Sequence, residues 1–245
     1  MRAKRVVDAV ISAIGLTVLS PVLLLVAFAI WTYDRKSPIY KATRIGKNSV
    51  PFTMYKFRSM VVNAEKSGVD STSASDSRIT FVGKWVRRFK IDELPQLWNV
   101  LTGSMSLVGP RPNVQREVHL YSQEEMHLLD VSPGITDFAS IVFADEGQIL
   151  DGSDDPDISY NQLIRPGKNY LGLHYVKERT LMIDIRIVLL TILAIVSRTR
   201  ALEATSALIE KTRGSQELVL LALRKSELQP TPPPGFDQII TTRTI

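Results

Sequence analysis

The apolar positions divide the chain near residue 36. From Val6 to Trp31 the residues are almost all apolar, interrupted by Asp8 and a few small or hydroxylated side chains. That run exceeds the roughly 20 residues that cross a bilayer as a helix, so it predicts a membrane segment. Ser20-Pro21 lies at its middle, where proline removes a backbone donor and crowds the preceding turn. Each arm then holds about 13 residues, or about 20 Å at the helical rise, enough to enter one leaflet but short of a roughly 30 Å hydrocarbon core. Arg2, Lys4 and Arg5 precede the segment, and Arg35, Lys36, Lys41 and Arg44 follow it. Basic flanks on both sides favour a hairpin with both ends in the cytoplasm. A straight span with a kinking proline remains open, as does a cleaved signal peptide, for which Ala27-Phe28-Ala29 supplies an A-x-A pattern.

Between Lys36 and about Arg200 the pattern is mixed. Short extended runs, Ile39-Tyr40 and Phe52-Thr53-Met54-Tyr55, are broken by Gly46 and Asn48, and the stretch from Ser67 to Ser77 reads as a mobile surface loop. Val82, Trp85, Val86 and Phe89 then repeat at helical spacing with Lys84, Arg87 and Arg88 off the stripe, which predicts a basic amphipathic helix. Leu94, Leu97, Trp98 and Leu101 repeat the spacing. Such stripes form core or, beside a membrane anchor, lie on the lipid surface. Ile187 to Val196, flanked by Arg186, Arg198 and Arg200, is too short to cross a bilayer and suits a core or an interfacial helix. Residues 201–228 predict a further helix, closed by Pro230-Thr231-Pro232-Pro233-Pro234, and the tail beyond reads as disordered.

Composition narrows the chemistry. At 245 residues the chain fits one domain plus appendages. Lysine and arginine outnumber aspartate and glutamate 30 to 25, which suits an anionic partner: phosphate esters, an acidic lipid surface or nucleic acid. The absence of cysteine excludes disulfides and thiolate metal sites. His119, His127 and His174 lack ligand-like spacing and read as packing or surface residues.

The informative stretch is Arg87-Arg88-Phe89-Lys90-Ile91-Asp92-Glu93-Leu94-Pro95-Gln96. Proline is tolerated in the first turn of a helix, so Pro95 places Asp92 and Glu93 at or just before a helix start, where free amides attract negative charge. Adjacent carboxylates among basic residues suit phosphoryl chemistry, one attacking phosphorus while the other holds Mg²⁺. The plain alternative is a capping aspartate and a solvated glutamate. Alternation along the strand that Lys56-Phe57-Arg58 ends sends Lys56 and Arg58 to one face, a grip for a diphosphate or simply a solvated edge. Arg111, between Pro110 and Pro112, is either a preorganised phosphate contact or part of a rigid turn.

Taken in order, these segments resemble a known family. Ser20-Pro21, Arg44-Ile45-Gly46-Lys47, Tyr55-Lys56-Phe57-Arg58-Ser59-Met60, Ile91-Asp92-Glu93-Leu94-Pro95-Gln96-Leu97-Trp98-Asn99-Val100, Met105-Ser106-Leu107-Val108-Gly109-Pro110-Arg111-Pro112 and Pro133-Gly134-Ile135-Thr136 are similar to the bacterial sugar transferases, the monotopic polyprenyl-phosphate phosphoglycosyl transferases. The resemblance implies an α/β fold: a re-entrant membrane helix hairpin over 1–36, broken at Ser20 and Pro21, and a small, helix-rich cytosolic catalytic domain with interfacial amphipathic helices over 37–200. The C-terminal helix and tail, 201–245, lie outside it. It also implies an Mg²⁺-dependent enzyme, monotopic on the cytoplasmic face of a bacterial inner membrane. Such an enzyme moves a sugar-1-phosphate from a UDP-sugar to polyprenyl (undecaprenyl) phosphate, releasing UMP, as the first membrane step of surface glycan assembly. Asp92 is then the nucleophile that carries the phospho-sugar and Glu93 the Mg²⁺ ligand, with Lys56, Arg58, Arg87 and Arg111 contacting phosphate. The partners implied are the UDP-sugar, the polyprenyl phosphate and membrane lipid rather than nucleic acid, with homo-oligomerisation left open.

The chain departs from the family pattern at Ala42, where many members carry glutamine, and at Asp137-Phe138-Ala139-Ser140, near where the sugar is read. Two rivals stand beside this reading. Asp155-Pro156-Asp157 has the D-x-D form of a metal-dependent glycosyltransferase that moves bare sugar, although its surroundings read as a turn. A basic membrane-bound scaffold or nucleic-acid binder is the other.

Overall fold

A computed structural model describes residues 2–64 and 71–242. Residues 67–70 of the expected mobile loop lie outside the described residues. The remainder of that loop is tied down: Ser71 N–H donates to Asp157 at 2.9 Å, Ala74 N–H to Gly147 O at 2.8 Å, and Arg78 pairs with Asp76 at 2.6 Å.

The chain is mostly helical, and its sheets among the described residues are two pairs of strands, a narrower architecture than the expected α/β class. Helix α1 (Arg2–Asp34) leads into an antiparallel hairpin of β1 (Ile39–Ile45) and β2 (Pro51–Phe57). Helices α2 (Phe81–Arg88) and α3 (Gln96–Thr102) follow, joined by a 3₁₀ turn, Ile91–Glu93. Strand β3 (Ser106–Val108) pairs in parallel with β4 (Gly134–Thr136), and the short α4 (Gln115–Val118) lies in the connection. The rest is helical: α5 (Phe138–Val142), α6 (Glu146–Ile149), α7 (Pro156–Ser159), a π-helical turn Tyr160–Ile164, α8 (Arg165–Glu178), α9 (Leu181–Val196), α10 (Arg198–Lys211) and α11 (Gln216–Leu223).

The expected break at Ser20-Pro21 is absent: α1 continues through Pro21 as one helix of 33 residues. The reason is local. Proline leaves the carbonyl of Thr17 without its i+4 donor, and Ser20 Oγ donates to that carbonyl at 2.8 Å instead. Both ends of α1 nonetheless attach to the same body. Near the start, Lys4 pairs with Asp184 at 2.6 Å, Asp8 accepts from Ser106 Oγ at 2.8 Å, and Arg5 donates to the carbonyls of Val100 and Leu101. Gly15 lies against Leu97. Near the end, Ile30 packs with Phe57 and Val86, and Asp34 takes both arms of the Arg58 guanidinium at 2.6 Å each. Most of the helix remains uncovered, with Leu24, Leu25 and Phe28 among its exposed apolar side chains.

The main core gathers Phe138, Ile141, Val142, Ile164, Leu171, Tyr175 and Ile187, and it continues past residue 200 through Ala201, Leu208, Ile209, Val219 and Ala222. The expected C-terminal helix is therefore two helices packed into the core. The tail after them returns to the body: Thr231 N–H donates to Gln162 O at 3.1 Å, Gln162 Nε2 to Ile240 O at 2.7 Å, and Ser122 Oγ to Pro234 O at 2.7 Å. These bonds answer the expectation of a disordered tail over its described part.

The β3–β4 pair depends on two glycines that pass at backbone contact. A Cβ on Gly134 would lie 2.1 Å from Gly109 N, and one on Gly109 would lie 2.4 Å from Ser132 O. Gly134→Ala is expected to part the two strands and to destabilise the protein toward the upper part of the roughly 1–3 kcal/mol typical of overpacking. Thermal unfolding in detergent checks this; an unchanged midpoint contradicts the close passage.

Candidate active site

Lys90, at the end of α2, adopts a left-handed conformation (φ 56°) that turns the chain into the Ile91–Glu93 turn. Leu94 and Pro95 keep right-handed helical dihedrals, so residues 91–102 form one helical run with Pro95 in its first part. The carboxylate pair thus stands at a helix start, as the sequence predicted. Glu93 Oε1 accepts from Lys56 Nζ at 3.1 Å and from Arg111 at 2.8 Å. Asp92 makes no such pair, and its Oδ1 is buried without a partner.

The electrostatics follow this asymmetry. Burial opposes the charge on Glu93, but Arg111 and Lys56 hold its carboxyl well below the usual range. Burial and the neighbouring Glu93 raise the Asp92 carboxyl against the opposite pull of Lys56, Arg87 and Arg111. Burial and Arg111 push the Lys56 ammonium down to about 8 in spite of Glu93. Arg111, drawn by Glu93, holds its proton more tightly than a free guanidinium.

Of the residues singled out in the sequence, Lys56, Arg87, Asp92, Glu93 and Arg111 come together here. Arg58 does not. It lies one residue beyond the end of β2, 9 % exposed, and its guanidinium is taken up by Asp34 and by Ser37 O at 2.8 Å. It fastens α1 rather than lining the site. Ser20 and Pro21 lie mid-helix in α1. The D-x-D aspartates serve α7: Asp155 accepts from the N–H groups of Asp157 and Ile158, and Asp157 accepts from Ser71. His174 packs at a tilt near Phe138 and meets Thr212 at 2.8 Å, while His119 and His127 contact Gln115 and Asp130.

Several residues went unremarked in the sequence. Asn99, 2 % exposed, donates to Thr53 O at 2.7 Å and accepts from Tyr55 N–H at 3.0 Å, completing the free edge of β2 just before Lys56. Glu146 pairs with Lys168, whose ammonium lies 5.3 Å over the Tyr160 ring, and Arg111 and Lys168 both lower the Glu146 carboxyl against burial. These three come from α6, the π-helical turn and α8, and no local pattern joins them.

Magnesium is usually held by one or two carboxylates together with substrate phosphates rather than by an all-protein cage. The described residues contain no group of three or more metal-ligating side chains, but they do contain a carboxylate pair among phosphate-seeking cations. Both cations engage Glu93 through Oε1, which leaves Oε2 outside those contacts. The donor set therefore fits Mg²⁺ bound jointly with a phosphorylated substrate.

The profile of a family described as bacterial sugar transferase matches residues 1–198. An undecaprenyl-phosphate glucose phosphotransferase of Komagataeibacter xylinus is 37 % identical over 199 residues, 78 % of this chain and 35 % of the relative. A UDP-N-acetylgalactosamine-undecaprenyl-phosphate N-acetylgalactosaminephosphotransferase of Aeromonas hydrophila is 35 % identical over 79 % of this chain and 44 % of its own length. A UDP-glucose:undecaprenyl-phosphate glucose-1-phosphate transferase of Escherichia coli K12 is 36 % identical over 77 % of this chain and 39 % of its own. The chain thus spans less than half the length of each of these relatives.

Asn99→Ala leaves Tyr55 N–H and Thr53 C=O short of partners and is expected to destabilise the protein by about 1–3 kcal/mol. Denaturant titration in detergent measures it, and a shift below a few tenths would show that the edge of β2 stands without Asn99.

Proposed function

The chain belongs to the bacterial sugar transferase family, and from that premise we propose that it transfers a sugar-1-phosphate from a UDP-sugar to polyprenyl phosphate through an aspartyl intermediate. The observation that carries the proposal is the inequality of the two carboxylates. Glu93 is held by Lys56 and Arg111, whereas Asp92 has no fixed partner yet lies in the field of Lys56, Arg87 and Arg111. A carboxylate so placed is free to attack.

An Asp92 oxygen forms a bond to the β-phosphorus of the donor as the bond from that phosphorus to the bridging oxygen breaks, and the electron pair leaves with UMP. Arg87 and Arg111 neutralise the non-bridging oxygens and hold the diphosphate in line. A phosphate oxygen of the polyprenyl carrier then attacks the same phosphorus and returns the Asp92 carboxylate, giving a polyprenyl diphosphate sugar. Mg²⁺, held by Glu93 and the donor's phosphates, would supply charge neutralisation on the diphosphate. The named relatives differ in sugar, glucose in two and N-acetylgalactosamine in one, so family membership leaves the donor's sugar open.

The membrane reading has its own support. A helix of 33 residues is about 50 Å long if straight, yet its first and last turns pair with Asp184 and Arg58 of one body. That favours both ends of α1 on one side of the bilayer, the cytoplasmic side given their basic flanks. Exposed apolar side chains continue onto α2 with Phe81 and Trp85, onto α3 with Trp98, and onto α9 with Met182, Leu189, Ile192 and Ile195. The Arg35 guanidinium lies 4.3 Å from the Trp31 ring centroid, a pairing suited to headgroup depth. A polyprenyl phosphate presents its phosphate at that depth, which brings acceptor and nucleophile together.

Brief exposure of the purified protein to UDP-sugars with Mg²⁺, followed by intact-mass spectrometry, is expected to show one sugar phosphate added to the wild type and none to Asp92→Asn. Release of UDP in place of UMP would instead favour transfer of bare sugar. For topology, the chain has no native cysteine, so Ala3→Cys and Lys36→Cys report cleanly. Both are expected to react with an impermeant thiol reagent from the same side of membrane vesicles, and reaction from opposite sides would rule out both ends of α1 lying on one side.

A further inference from the structure

Gln96 begins α3 with its side chain 2 % exposed, and its Nε2 has no acceptor. A buried amide without a partner destabilises a fold, so a protein that keeps one has another use for it. Asp92 poses the complementary case. Its Oδ1 is buried without a partner, and its Oδ2 is not among the buried, unpartnered atoms.

The two residues stand four apart, Asp92 in the 3₁₀ turn and Gln96 at the first position of α3, with Leu94 N–H on Ile91 O and Leu97 N–H on Leu94 O closing the chain between them. Asn99 lies against Thr53 and Tyr55 of β2, and Glu93 reaches Lys56 of the same strand. Gln96 is buried between these two contacts along the chain. A buried donor without an acceptor and a buried acceptor without a donor thus stand four residues apart, and no hydrogen bond joins them in the resting structure.

We infer that Gln96 is a positioning residue for the nucleophile: in the working enzyme its amide donates to Asp92 Oδ1 and so aims Oδ2 at the donor's phosphorus. After attack the same bond is retained, because the phospho-sugar sits on Oδ2 and Oδ1 becomes the carbonyl oxygen of the mixed anhydride, still an acceptor. The inference rests on the reading of Asp92 as nucleophile. Its physical signature is a separation of stability from rate, since removing an unpartnered buried amide relieves the fold while it disables the site.

The test is Gln96→Met, which keeps an unbranched side chain of similar length without the amide. Gln96→Leu serves as a second variant. Each full-length protein is given UDP-glucose, UDP-galactose or UDP-N-acetylgalactosamine with Mg²⁺, and the rate of sugar-phosphate addition is followed against donor concentration beside its melting temperature. The expected result is a melting temperature equal to or above wild type, a donor concentration for half-maximal rate within about twofold of wild type, and a maximal rate of addition lowered about 10- to 100-fold by misalignment. Addition at the wild-type rate in either variant overturns the inference, as does a loss of rate matched by a fall in melting temperature, which would mark Gln96 as structural. Failure of the wild type itself to form an adduct, or adduct formation by Asp92→Asn, defeats the assignment of the nucleophile instead.

Discussion

Glu93 Oε1 is where three otherwise separate segments meet. Lys56 comes from β2, Arg111 from the loop after β3, and Glu93 from the turn between α2 and α3. Lys56 and Glu93 are sheltered, so each needs the other's charge, whereas Arg111 reaches Glu93 from the exposed side. The contact therefore sets the distance between the strand pair, the loop and the helix start, and with it the shape of the site. It also divides the labour of the two carboxylates. Because Glu93 takes both cations, its neighbour stays unpaired while remaining in their field, and an unpaired carboxylate in a cationic field is what an incoming phosphate ester requires.

The surrounding structure serves this arrangement by removing freedom from each of the three segments. Asn99 holds the open edge of β2 in place of a third strand, so Lys56 leaves a backbone that cannot slide. Gly109 and Gly134 let β3 and β4 approach at backbone distance, which fixes the Pro110-Arg111-Pro112 turn that follows. Val108 O, just before that turn, accepts from both Lys4 of α1 and Tyr175 of α8. The apolar helix is thus joined by hydrogen bonds to the segment that leads into the loop delivering Arg111.

Much of this was legible in the residues, and what was not has identifiable causes. The membrane segment, the stripes of α2 and α3 and the carboxylates at a helix start all follow from local periodicity or from the backbone limits of one proline. Arg58 was misread because strand alternation was carried one residue past the end of β2, where Asp34, 24 residues earlier, claims the guanidinium. Pro21 was read as a break because sequence rules count the lost donor and miss the hydroxyl of Ser20 that replaces it. Gln96 and Asn99 were part of a quoted motif, but nothing local reveals whether a buried amide has a partner. The Glu146, Lys168 and Tyr160 group joins three helical segments and is visible only once they are packed.

The residues after 198, beyond the reach of the family profile, bear on the same question of what a site needs. Ala201, Leu208, Ile209, Val219 and Ala222 are fully part of the main core, and Asp145 holds Arg198 at 2.8 Å and Arg224 at 3.2 Å. The tail then binds the two faces of Gln162, its carbonyl to Thr231 and its amide to Ile240. Gln162 lies in the π-helical turn that begins with Tyr160, and such single turns are rare but frequent at functional sites. Here the tail supplies a donor to one of its carbonyls. Tyr160 stands beside Lys168 and, through Glu146, in the neighbourhood of Arg111. The C-terminal segment is therefore joined by two hydrogen bonds to the irregular turn that carries Tyr160.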